Sequence, residues 1–359
     1  MSLESFFHEV IAPRRPWYLW PVYGVLRLVS VFYAFGQRVR ARLYRKGAFK
    51  TRRLDCRVIS IGNLTLGGTG KTPTVMQVAD LLRRNGFKPA ILSRGYGGRS
   101  KEPVNVVCDG REVLLTPEAA GDEPVMMARR LKTVPVLTGR DRYTTGKYAL
   151  EQFGVDVLIL DDGYQHLPLH RDLNILLCDG ARPFGNGQVF PAGELREPLS
   201  ALKRADLICI TRSRAGGVTE EVERGNLHKV PLVRSGYRAV AAIDLKTGEA
   251  AEMESVQAKP AAAFCGIAHP RDFFQMLEEA QVPVVHRENF PDHHDYSAAD
   301  LQALESDARK AGAEVLLTTE KDAVKIQERQ AALPIYAVRI ELDILDGRDE
   351  WERRVLGQA

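Results

Sequence analysis

Three observations predict an α/β fold: a doubly wound, mostly parallel sheet, a second and smaller α/β unit behind it, and an N-terminal amphipathic helix associated with a membrane. From about residue 56, short β-branched runs alternate with helical segments, which is the rhythm of βαβ units. Near residue 240 the rhythm restarts. Ahead of both lies an apolar stretch followed by a basic one. With 45% apolar and 27% charged residues in 359, disorder, collagen and a disulfide miniprotein are excluded. Domains of ~100 to 200 residues would make two from this length.

Residues 1 to 60 hold 12 Lys and Arg against 3 Asp and Glu, a net of +9, and the other 299 residues carry a net of −5. Such a block points to a polyanionic surface, either nucleic acid or lipid. The segment 17 to 35, WYLWPVYGVLRLVSVFYAF, is almost wholly apolar with Arg27 at its centre. A central Arg costs ~2.5 to 3.5 kcal/mol on insertion scales, which strains a spanning reading. Ser30, Ala34, Gln37, Ala41 and Arg45 continue the Arg27 face, whereas Leu26, Val29, Phe32 and Tyr33 lie largely on the other. The expectation is a helix resting in the interface, with Trp17, Tyr18 and Trp20 in the headgroup belt. Arg38, Arg40, Arg42, Arg45, Lys46, Lys50, Arg52 and Arg53 then form a basic collar, worth ~1 kcal/mol per charge on an anionic membrane surface. A single span, or a helix packed on its own domain or a partner, are the alternatives. Most charge follows the apolar stretch, the reverse of a signal peptide, so secretion is not expected. Cys56, Cys108, Cys178, Cys209 and Cys265 are scattered without a CxxC pair and fit reduced core residues in a cytoplasmic body.

Strands are expected at 56 to 62, 89 to 93, 134 to 138, 155 to 161, 174 to 178 and 206 to 211, with helices at 71 to 85, 122 to 132 and 140 to 153. Asp109-Gly110 between apolar runs predicts a hairpin over 104 to 115. The second unit reads as strands at 262 to 268, 282 to 286 and 314 to 319, with helices at 270 to 281 and 297 to 311. A late strand at 334 to 342 either returns to the first unit or edges the second. The Gly- and Pro-rich segment 180 to 200 predicts a long ordered loop of functional kind. The divisions expected are 1 to 50, 51 to 235 and 236 to 359.

GNLTLGGTGKTP (62 to 73) follows a strand and opens a helix, the setting of a Walker A loop in a P-loop NTPase. Gly67, Gly68 and Gly70 let backbone N–H groups surround phosphate oxygens, Lys71 reaches the β and γ phosphates, and the Thr72 hydroxyl can ligate magnesium. The consensus places Gly where this chain has Thr65. Asn63, Thr65, Thr69 and Pro73 complete the candidate nucleotide site. VDVLILDDGYQH (155 to 166) is an apolar strand ending in Asp161 and Asp162, as in a Walker B element, where either holds Mg²⁺ directly or through water. His166 follows closely.

These segments, with SRGYGG (93 to 98), GDEP (121 to 124), GELREP (193 to 198), FPDHHDY (290 to 296) and TTEKD (318 to 322), resemble in content and order the tetraacyldisaccharide 4'-kinases of Gram-negative bacteria. The likeness extends to about residue 325. It implies that ATP phosphorylates the 4'-hydroxyl of tetraacyldisaccharide 1-phosphate, a lipid A precursor, at the cytoplasmic face of the inner membrane. It also implies Asp122 as catalytic base, helped by a histidine of FPDHHDY, taken as His293 with His294 as its rival. Lys71 and Asp162 join them as catalytic residues. Arg94, His166 and Arg196 become candidate substrate contacts, Glu197 a further magnesium ligand, and Lys321 and Asp322 candidate nucleotide contacts. Asp122 as a mere helix cap, and the DHHD cluster as a metal site, are the competing readings of those residues.

Another class fits the loop as well: a membrane-associated P-loop ATPase or GTPase switch, for which TEKD superficially resembles a base-recognition motif. Such ATPases commonly carry an additional Lys early in the loop, absent from Asn63, Leu64 and Thr65. A nucleic-acid role for the basic arm is disfavoured by its tryptophans and apolar face. No obligate protein partner is evident.

Overall fold

The computed structural model describes residues 3–213, 222, 230–292, 294–326 and 332–358. Continuous apolar runs bury both faces of a strand, and such strands pair in parallel under helices. Six do so here: β1 (Arg57–Asn63), β2 (Pro89–Ser93), β4 (Val136–Thr138), β5 (Val157–Asp161), β6 (Leu173–Asp179) and β7 (Leu207–Thr211). Their lateral order is β7-β6-β1-β5-β2-β4, and the short β3 (Asn105–Cys108) closes the edge antiparallel to β4. The Asp109-Gly110 turn forms, but its return arm is reduced to a single bridge between Cys108 and Val113.

The second unit contributes β10 (Ala261–Cys265), β11 (Val284–Asn289) and β12 (Val315–Thr319), also parallel. Two long strands join the units. β8 (Leu232–Asp244) lies parallel to β7, and β13 (Ile335–Asp346) lies parallel to β12, and the two pair antiparallel from Tyr336 opposite Asp244 to Asp346 opposite Arg234. The late strand therefore serves both units at once. With β9 (Ala250–Ala251) on β8, thirteen strands make one continuous sheet, which runs through the expected division at 235.

Among the described residues the α-helices with assigned bounds are α1 (Leu3–Ile11), α2 (Trp20–Arg45), α3 (Lys71–Arg84), α4 (Pro117–Ala120), α5 (Asp122–Leu131), α6 (Arg142–Phe153), α7 (Glu254–Gln257), α8 (Pro270–Glu279), α9 (Ala298–Lys310), α10 (Glu320–Ile326) and α11 (Arg348–Leu356). On α3, Val75, Val78, Ala79 and Leu82 are fully buried, because the i, i+3, i+4, i+7 spacing lays them in one stripe on the sheet. Trp351 of α11 seals that layer and donates its indole N–H to Gln77 of α3 (3.1 Å).

On α2 the division of faces follows the sequence pattern. Ser30 and Ala34 are buried against the body, with the Ser30 hydroxyl donating to the Val189 carbonyl (2.5 Å) and Arg40 donating to that of Gln165 (3.2 Å). Val25, Leu28, Phe32 and Phe35 are each more than 60% exposed, as is Trp17 ahead of the helix. The polar face is the docked one. The segment Trp17–Arg45 is long and apolar enough to cross a membrane.

Candidate functional site

β1 lies between β5 and β6, so the loop after β1 and the carboxylates ending β5 open into one crevice at the carboxyl ends of adjacent strands. Gly67 (φ +95°) and Gly70 (φ +79°) adopt left-handed backbone in that loop. Gly70 sits immediately ahead of α3, so the first N–H groups of the helix face the crevice mouth with the positive end of its dipole. Thr65, where the consensus has Gly, is extended and buried, bridged antiparallel to Leu195. The neighbouring backbone bonds are Leu66 N–H to Glu194 (2.7 Å) and Arg196 N–H to Leu64 (2.6 Å). The irregular loop at 180 to 200 is thus a wall of the site, and an extended Thr65 has no need of glycine.

Lys71 Nζ lies 3.4 Å from Asn63 Oδ1 and 3.8 Å from Asp162 Oδ1. Arg196 donates to both Asp162 oxygens (2.8 and 2.7 Å). Burial opposes ionisation of Asp162, but Lys71 and Arg196 overcome it and hold the carboxylate below its usual range. Asp161 is in a different state. It is buried, accepts one hydrogen bond from Ser93 (2.9 Å), and leaves Oδ1 without a partner among the described residues. Burial, then the charges of Glu123 and Asp162, push its carboxyl up to about 7. A buried acid with an orphan oxygen is where a cation would be stabilising. Thr72, also buried, opens the facing helix. These residues fit a magnesium ion completed by phosphate oxygens and water, although no cluster of three or more metal-ligating side chains occurs among the described residues.

Asp122 is the first residue of α5. The cap position belongs to Gly121, and the Asp122 carboxylate instead meets Lys325 of α10 (3.0 Å), an ion pair across the two units. The helix-cap reading is therefore replaced by an inter-unit contact. His293 lies outside the described residues. Its rival His294 stacks on Phe290 (centroids 4.7 Å apart) and lies 3.2 Å from Asp300, itself part of the capping box of α9. Its Nε2 thus contacts the entry of α9.

Other expected contacts fall in different places. Arg94 is exposed just beyond β2. His166 is partly buried with Nε2 unpaired among the described residues; burial, then Arg142 and Arg171, lower it to about 4, so it is neutral at physiological pH. Glu197, expected at a metal, spends both oxygens on Arg204 (2.7 and 2.8 Å), whose guanidinium lies 4.9 Å from the Tyr164 ring centroid. The bidentate geometry is that of a strong buried ion pair. Lys321 is paired with Asp292 (3.1 Å), and buried Asp322 accepts from Gly266 N–H and the Thr319 hydroxyl, which ties β12 to β10.

Ser93, Glu123, Arg142 and Lys325 belong to the site but were not singled out from sequence. Ser93 and Glu123 lie inside the segments SRGYGG and GDEP, so the sequence carries a signal for them. Buried Arg142, which favours the charged forms of both Asp161 and Asp162, and Lys325 gave none.

Comparison with known proteins agrees with this geometry. Residues 22–358 match the sequence model of a family described as tetraacyldisaccharide-1-P 4'-kinase. The tetraacyldisaccharide 4'-kinase of Syntrophus aciditrophicus is 43% identical over 332 residues, covering 89% of each chain. That of Geobacter sulfurreducens is 44% identical over 324 residues, 90% of each. A crystal structure of the Aquifex aeolicus member in complex with ATP superposes with a TM-score of 0.76 at 33% identity, covering 94% of this chain and 99% of that one.

Proposed function

The chain belongs to the tetraacyldisaccharide 4'-kinase family, and from that premise we propose how its residues carry the transfer. The reaction is ATP-dependent phosphorylation of the 4'-hydroxyl of tetraacyldisaccharide 1-phosphate, a step of lipid A biosynthesis. Phosphoryl transfer leaves a protein two tasks: to align acceptor and phosphate, and to offset charge on the equatorial oxygens. The observation that carries the assignment is the adjacency of β1 and β5, which puts Lys71, Asp161, Asp162 and Arg196 in one crevice.

The N–H groups from Gly67 to Thr72 hold the β and γ phosphates, with Asn63, Thr65, Thr69 and Pro73 fixing the loop that presents them. Lys71 and Arg196, oriented by Asp162, supply positive charge as the bond to the leaving oxygen lengthens. Thr72 and Asp161 would hold Mg²⁺, which when bound offsets charge on the bridging phosphate oxygens. The acceptor oxygen bonds to γ-phosphorus, the β–γ bridging bond breaks, ADP leaves, and the hydroxyl proton passes to Asp122. His293 assists that proton transfer, and Arg94 and His166 contact the sugar phosphate.

The exposed apolar face of α2 and its basic collar keep the body on the anionic cytoplasmic face of the inner membrane. Acyl chains then stay in lipid while the disaccharide reaches the crevice beside the 180 to 200 loop. Transfer of γ-phosphate from labelled ATP and Mg²⁺ to the lipid acceptor in detergent micelles, against an acceptor-free control, tests this reading. Labelled lipid is expected; phosphate release without labelled lipid would favour a switch ATPase. Flotation with anionic but not neutral vesicles, lost when the collar arginines are neutralised, tests the membrane part.

A further inference from the structure

The carbonyl side of the phosphate loop is anchored by two consecutive residues that the reaction does not use. Thr211, the last residue of β7, donates its hydroxyl to the Thr69 carbonyl (3.0 Å). Arg212 follows in left-handed backbone (φ +53°), unusual for a non-glycine residue, and its guanidinium is only 16% exposed. It donates to the Gly68 carbonyl, pairs with Asp179 at the end of β6, and donates to Asp272 (2.7 Å) in the first turn of α8. The first two contacts lie within the nucleotide unit. Asp272 belongs to the other unit, whose His269 also lies near the loop: a Cβ built on Gly68 would meet its ring at an ordinary van der Waals distance of 3.7 Å.

We propose that Arg212 is a positioning residue for ATP, coupling the seating of the second unit to the conformation of the phosphate loop. A trans peptide points its N–H opposite to its C=O. Holding the carbonyls of Gly68 and Thr69 on the β7 side therefore turns the N–H groups of Thr69 and Gly70 the other way, toward the phosphates. One planar guanidinium meets all three groups because its five donors form a rigid fork, which a lysine ammonium does not reproduce. Loss of the Asp272 arm frees the fork to follow Asp179 alone, and the loop carbonyl loses its fixed partner. The proposal rests on the loop being the ATP site.

Its test is the affinity of the full-length protein for a non-hydrolysable ATP analogue with Mg²⁺, measured by calorimetry for Arg212→Lys, Asp272→Asn and the double variant. Coupling of this kind spans ~2- to 30-fold. Arg212→Lys is expected to weaken the analogue about tenfold and Asp272→Asn about fivefold, with KM for the lipid and the nucleotide-free unfolding midpoint near wild type. The double variant should be no weaker than Arg212→Lys, because Asp272 acts only through Arg212. Asp272→Asn binding within a factor of about two of wild type, or losses that multiply in the double variant, would overturn the proposal. Should Arg212→Lys fail to fold, Asp272→Asn alone decides. Lys71→Ala separates the two ways of failing: if it binds the analogue normally, the loop reading falls and the proposal with it. If it loses binding while Asp272→Asn does not, only the coupling is refuted.

Discussion

Replacing Glu197 separates a metal ligand from a buried ion pair. Its carboxylate meets Arg204 at 2.7 and 2.8 Å, with side-chain exposures of 3% and 18%. Removing one partner of such a pair costs ~3 to 5 kcal/mol, mostly because the remaining charge stays buried without compensation. Tyr164 lies 4.9 Å from the stranded guanidinium, and a desolvated cation–π contact of ~2 kcal/mol keeps the loss at the lower end. Glu197→Ala should therefore lose about 3 kcal/mol, or roughly 6 °C at ~2 °C per kcal/mol in a chain of this size. The pair Glu197→Leu with Arg204→Met should recover most of it, since apolar replacements of both partners avoid the stranded charge. Urea unfolding measures the loss, and a magnesium titration of activity runs beside it. If Glu197→Gln unfolds like wild type while needing several-fold more Mg²⁺, the ion-pair account is wrong and the residue is a ligand.

Three further outcomes follow from the same geometry. The folded Asp161 carboxyl, pushed to about 7 by burial, keeps a proton that the unfolded chain loses near 3.8, so it subtracts stability as pH rises from about 4 to about 7. Asp161→Asn should remove up to ~1.4 kcal/mol per pH unit of that slope, and identical slopes in urea melts at pH 4.5 and 7.5 would contradict it. Gly70→Ala would set a Cβ 1.5 Å from the Tyr237 hydroxyl at φ +79°, so the loop must shift and ATP affinity should fall ~100-fold by calorimetry; unchanged affinity would refute the loop geometry. Trp351→Ala empties a fully buried site and should cost ~3 to 5 kcal/mol in urea melts with KM for ATP retained.

The elements that sequence makes readable are those whose burial is total. VLIL at 157 to 160 is buried on both faces, so its period leaves no ambiguity. β8 escapes such reading because LVRSGYRAVAAID mixes charge with apolar residues on half-buried faces, and it straddles the division expected at 235. Its role comes from pairing with β13, a hundred residues away, which no local pattern encodes. The site divides the same way. Lys71, Asp161 and Asp162 are readable because the phosphate loop and the strand-end carboxylates act through local geometry. Lys325, Arg142, Arg204 and Arg212 look like ordinary surface cations until the fold buries them beside Asp122, the Asp161–Asp162 pair, Glu197 and the loop carbonyls. The Glu197 pairing is hidden in the same way, since its partner Arg204 lies in the 3₁₀ turn after the loop.

If the inter-unit residue Asp122 takes the acceptor proton, the adjacent phosphate loop binds ATP without it. The most direct measurement compares Asp122→Asn with wild type for γ-phosphate transfer to tetraacyldisaccharide 1-phosphate and for ATP-analogue affinity in the same preparation. General base catalysis contributes ~10²- to 10⁴-fold, so transfer should fall by at least ~100-fold while affinity stays within about threefold. Full transfer by Asp122→Asn, or a loss of ATP affinity that matches the loss of transfer, would contradict it.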